Sequence, residues 1–113
     1  MSEIPRDDLT ALERLTPEEL PRLAIFLAGW LHQDLAVEHG SAARAAWEYA
    51  SEAELDELEE LGAEWNVLRA AAHEAPLDAV NDALRRRFGS DWRATSRDEI
   101  DAVARELELA LRE

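Results

Sequence analysis

The sequence predicts an all-α protein, a compact bundle of about five to six helices in a single domain over residues 1–113. Ala, Leu, Glu and Arg dominate, Gly and β-branched runs are scarce, and no alternating stretch competes as a strand. Apolar residues recur instead at spacings of three and four, and several segments open on residues that cap helices. At 113 residues the chain can bury roughly two thirds of its unfolded surface, so it needs no covalent staple.

Residues 1–15, with the segment RDDLTALERL, are expected to add at most a loosely attached sixth helix. In TPEEL, Thr16 is the cap, Pro17 the first helical position and Glu19 the residue reaching back, but Pro21 limits this to one turn. A helix then begins near Arg22 and is expected to run to about His39, where Gly40 suits the left-handed end and Ser41 caps the next helix. That short helix, to about Ala50, carries Trp47. From about Ala53 to His73, Leu55, Leu58, Leu61, Trp65, Leu68 and Ala72 form one narrow apolar stripe that should face the core. Pro76 opens a helix with Leu77, Val80, Leu84 and Phe88 inward, and Gly89 closes it. SRDEI is a second capping box, Ser96 with Glu99, after which Ile100, Val103, Ala104, Leu107 and Leu111 share a face.

The stretch LAGWLHQDLAVEHGS breaks an apolar run with His32, Gln33 and Asp34. Turning about 100° per residue puts Leu23, Leu27, Trp30 and Asp34 on one line, so Asp34 falls within the apolar face. A buried carboxylate needs partners, and the Trp30 indole, the cap region at Ser41 and an Arg from another helix are candidates. Asp34 is therefore expected as a polar latch between helices, with a direct role at a binding surface as the alternative. His32 and His39 lie on the opposite side, about 10 Å apart, too far for one metal ion. HQD lacks a Ser or Cys nucleophile, and His73-Glu74 has no second His one turn away. No catalytic residue, metal site or cofactor is expected. With no Cys, an acidic N-terminus unlike a secretory signal, and an apolar run from Leu23 to Leu31 too short to span a bilayer, a soluble protein of the reducing cytoplasm is expected.

Net charge is −14, from 26 acidic residues against 12 basic ones, all of them Arg. Such a chain repels nucleic acid and anionic membranes and speeds encounter with a basic partner. Eight acidic residues and no basic one lie between Glu48 and Glu64: Glu48, Glu52, Glu54, Asp56, Glu57, Glu59, Glu60 and Glu64. Like charges at i, i+4 each cost about 0.2–0.5 kcal/mol, and the helix dipole relieves only the first turn. A solvated face is the ordinary explanation for an acidic run. The absence of interleaved Arg suggests instead a surface for a cationic partner, with Glu48, Glu52, Asp56, Glu59, Glu60 and Glu64 as candidate contacts. Neutralising Glu59, Glu60 and Glu64 should then relieve strain without unfolding the helix. Arg85, Arg86 and Arg87 fall in a last helical turn, where cations complement the dipole.

The segment PRLAIFLAGWLHQDLAVEHGSAARAAWEYA resembles the helical immunity proteins of contact-dependent growth inhibition systems. The matching positions are Pro21, Leu23, Phe26, Gly29, Trp30, His32, Gln33 and Asp34, followed by Gly40 and Ser41, and the good match covers about residues 20–50. ELDELEELG and the C-terminal amphipathic helix follow the family's general plan, with RDEI replacing a Trp that often opens the final helix. The resemblance implies a small cytoplasmic protein that binds the toxic C-terminal domain delivered by a neighbouring cell, or made by its own, and blocks it. Such toxins are commonly nucleases with basic clefts. The expected partner is thus a cognate toxin domain with a basic surface, neutralised by stoichiometric occlusion, with no nucleic acid or membrane bound and a monomer before binding. The alternative is a helical adaptor or regulatory subunit unrelated to toxins.

Overall fold

The computed structural model of the chain describes residues 10–31 and 41–112. They form five helices: α1 (Pro21–Gly29), α2 (Ala42–Glu52), α3 (Leu55–Glu74), α4 (Leu77–Phe88) and α5 (Arg97–Leu111). Among the described residues there is no strand. The long helix α3 lies against α1, α4 and α5, and α5 also packs on α2. His32, Gln33 and Asp34 lie outside the described residues, as do His39 and Gly40.

Pro21 opens α1, where its fixed φ suits the helix and its missing N–H costs nothing. The helix stops at Gly29 rather than running on through Trp30, and the rest of the expected helix, from His32 to His39, lies outside the described residues. Trp30 leaves helical geometry at φ −121°, and both its N–H and that of Leu31 bond the Phe26 carbonyl, at 2.9 and 3.2 Å. Gly is a poor helix former, and release of the chain there lets the Trp30 ring meet Tyr49 of α2 edge-on at 5.7 Å while Leu31 is wholly buried. Trp30 therefore does not continue the helical line through Leu23 and Leu27.

Ser41 caps α2 by accepting from the Arg44 N–H at 3.1 Å. Ala53 is already extended, so α3 starts at Leu55 rather than near Ala53. Leu58, Leu61, Trp65, Leu68 and Ala72 are buried as expected, but Leu55 is 63% exposed. Rotation explains this: Leu55 sits about a third of a turn from the centre of the stripe that Leu61, Trp65, Leu68 and Ala72 define. Gly89 ends α4 in the left-handed conformation at φ 66°, with its own N–H on the Arg85 carbonyl and that of Ser90 on Leu84. In α5, Ser96 accepts from the Glu99 N–H at 3.3 Å, whereas the Glu99 carboxylate reaches the N–H and hydroxyl of Thr95.

The centre of the core is aromatic. Phe26 meets Tyr49 at 5.3 Å and Trp65 at 5.8 Å, both edge-on, and Trp65 meets Trp92 at 6.1 Å. The buried Trp65 indole donates to the Ile100 carbonyl at 2.9 Å, so its N–H is satisfied where α3 meets α5. The buried Asn81 side chain donates to the Ala94 carbonyl at 2.9 Å and accepts from the Ala94 N–H at 2.8 Å. That reciprocal pair supplies the loop between α4 and α5 with the backbone partners that a regular element would provide.

Residues 11–14 make a turn rather than a helix, closed by Thr10 and Glu13 acting on each other as a small capping box. Leu15 is fully buried, and Arg87 donates to the Leu12 carbonyl at 2.9 Å, tying this turn to the end of α4. The single turn at TPEEL appears as expected, with Thr16 accepting from the Glu19 N–H at 3.3 Å.

Candidate functional site

The six candidate carboxylates do not form one face. Glu64, halfway along α3 and only partly exposed, accepts from the Leu23 N–H at 2.9 Å and also bonds the Arg22 backbone. It thereby closes the N-terminus of α1, whose cap position, Leu20, offers no side-chain acceptor. A carboxylate there also meets the positive end of the α1 dipole. Burial raises the Glu64 carboxyl above its ordinary value, and the two backbone hydrogen bonds pull it only part of the way back.

One turn earlier, Glu60 receives the Arg22 Nε at 2.8 Å, and this bond raises the guanidinium pKa above its usual value. The cation missing from the α3 sequence is thus supplied by α1. Glu48 is partnered within α2, with the Arg44 Nε at 3.4 Å. Glu60 and Glu64 both join α1 to α3, so neutralising them alters these contacts as well as the repulsion that the substitution is expected to relieve.

Glu52, Asp56 and Glu59 are exposed. Among the described residues no Arg or His lies within ion-pair distance of any of the three. Asp56 accepts from the neighbouring Glu57 N–H at 2.9 Å, an arrangement suited to the first turn of α3. Glu59 is rotated by about 100° from Glu60 and about 140° from Glu64, away from the α1 flank, whereas Asp56 lies one turn before Glu60 on nearly the same side, at the start of α3.

Other polar groups act within the fold. Arg69 reaches Asp101 at 2.8 Å and His73 reaches it at 3.4 Å. Desolvation pushes the Asp101 carboxyl up, but hydrogen bonds from Arg69 and His73 outweigh it and hold the group below its usual value. Arg97 donates to the carbonyls of Ala72 and Ala75, finishing the C-terminus of α3 from the start of α5. Arg86 pairs with Asp82 at 3.0 Å, while Arg87 holds the Leu12 carbonyl, so the basic cluster serves contacts as well as the helix dipole. No group of three His, Cys, Asp or Glu side chains among the described residues could hold a metal ion. No helix among them is long and apolar enough to cross a membrane.

The sequence reading did not single out one surface feature. Trp47 is half exposed, and the Arg44 guanidinium lies 4.5 Å from the centre of its ring. The spacing of three between Arg44 and Trp47 on one helix was the available signal.

These elements make a small helical protein whose described surface offers carboxylates and an indole. A family model described as CdiI immunity protein matches residues 19–107, from the turn before α1 into α5, and the chain belongs to that family. It is thus a toxin-neutralising immunity protein whose partner is a cognate toxin. The match extends well past residues 20–50, so the RDEI opening of α5 is no departure from membership. No curated protein and no solved structure is matched.

Proposed function

We propose that this protein neutralises its toxin by stoichiometric occlusion, and that the toxin is a nuclease presenting a basic surface to Glu52, Asp56 and Glu59. The observation that carries the reading is the exposure of these three carboxylates without a cationic partner among the described residues, in a chain of net charge −14. A phosphate-binding cleft is basic, and an acidic face competes for it without any chemistry from this chain. Glu60 is 54% exposed and adds its charge to that face while holding Arg22. Glu48 and Glu64 belong more to the scaffold than to the contact. The protein acts in the cytoplasm, as a monomer until it binds.

The test uses the toxin domain encoded beside this gene. A variant carrying Glu52→Gln, Asp56→Asn and Glu59→Gln should associate about tenfold more slowly at low salt, with a flatter dependence on ionic strength. Unchanged rates would reduce this face to a solvated surface. If the wild type neither binds that domain nor protects cells from it, the reading of a basic nuclease occluded by this face is overturned.

A further inference from the structure

We propose that the groove between α2 and α5 is where the toxin anchors, by seating an apolar side chain with a cationic neighbour against Trp47 and Leu109. This rests on the toxin-binding reading above and assigns a second, separate surface to it.

Among the described residues, four large apolar side chains are substantially exposed: Ile25, Trp47, Leu55 and Leu109. Ile25 lies in α1 and Leu55 at the start of α3, and single exposed residues of this kind are ordinary. Trp47, 50% exposed, and Leu109, 47% exposed, instead line one groove of about 310 Å³ between two helices. Its other walls are Ala50, Ser51, Ala110 and Glu106. Three of those four are small, so the space beside the indole is open to a side chain from outside.

The indole is also held ready. Arg44 covers its ring at 4.5 Å and is itself met by Glu48 at 3.4 Å. An indole already ordered in the free protein loses little side-chain entropy on binding, and Trp and Arg are the residue types that most often dominate interface energy.

Charge selects the occupant. Among the described residues Glu106 is the charged side chain lining the groove, the Arg44 cation over the indole is offset by Glu48, and the chain as a whole carries −14. A second copy would set Glu106 and that net charge against themselves, whereas a basic toxin complements both. The larger cleft of about 430 Å³ between α4 and the following loop has no such selectivity, because Asp78, Asp82, Arg85 and Arg93 mix both signs along it.

Glu52, Asp56 and Glu59 then govern the encounter, and the α2–α5 groove governs how long the complex lasts. Trp47→Ala and Leu109→Ser are tested separately in the full chain, against the toxin domain encoded beside the gene. Each should weaken binding by at least about thirtyfold, chiefly through faster dissociation, with association and its salt dependence unchanged. Glu106→Gln should weaken it several-fold. Melting temperatures close to that of the wild type would confirm that the variants are folded, and the two separate substitutions guard against one that is not. Wild-type binding with undiminished affinity in both folded variants would overturn the groove while leaving toxin neutralisation intact. No wild-type binding would overturn both. Trp47-dependent self-association in sedimentation without toxin would also overturn the proposal, in favour of a second copy as the occupant.

Discussion

Two pairs of carboxylates within three turns of one helix end in different physical situations. Glu60 and Glu64 face α1, where one takes the Arg22 guanidinium and the other closes a helix terminus. Glu59, rotated away from that flank, and Asp56, one turn before Glu60, are exposed and without a cation among the described residues. As a charge pattern the four are equivalent. What separates them is where α1 meets α3, since Glu59 is out of phase with α1 and Asp56 lies a turn before the residue that takes Arg22, so an acidic run must be divided by what its flanks touch before any of it is assigned to a partner.

The comparison can be attacked first through the seam itself. Phe26 is fully buried and links α1 to both Tyr49 and Trp65, so Phe26→Ala should cost about 3–5 kcal/mol in urea unfolding. A loss below about 1 kcal/mol would mean that α1 is not anchored there.

Glu64→Ala comes next. It leaves the first amides of α1 without their acceptor and should cost about 1–3 kcal/mol, measured the same way. Equal stability of this variant and the wild type would remove the distinction between the flanks.

A finer probe is pH. Because the folded-state pKa of Glu64 is raised, its contribution to stability is fully present below the unfolded value and is lost as pH rises through the folded one. Asp101 runs the other way: its folded pKa is lowered, so its contribution is present above the unfolded value and is lost as pH falls through the folded one. On acidification, the wild type's advantage over Glu64→Gln should grow and its advantage over Asp101→Asn should shrink. Parallel slopes in unfolding titrations would contradict the two environments.

The smallest effect belongs to the outer face, where Glu59→Ala should leave stability within about 0.5 kcal/mol of the wild type. A larger loss would show that Glu59, too, is part of the scaffold.

Much of the fold was legible in the residues. The stripe Leu58, Leu61, Trp65, Leu68 and Ala72, the caps at Ser41 and Ser96, and the left-handed Gly89 all depend on local periodicity or a few bonds close in sequence. The end of α1 was not legible, because Gly29 tolerates helix and the decision to leave it rests on where Trp30 and Leu31 pack. The candidate site was legible only as a concentration of charge. Arg22 is 38 positions from Glu60, and Leu23 is 41 from Glu64, so no local spacing shows those bonds.

By itself, then, the sequence determined the all-α class, the main helices, the acidity and the resemblance to the immunity family, since each follows from composition, short-range periodicity or a contiguous motif. Only the tertiary structure decided which carboxylates stay available to a partner and that Trp47 and Leu109 share a groove. Helix periodicity puts a residue on a face, but the neighbour packed against that face decides whether its charge is bonded or its ring exposed.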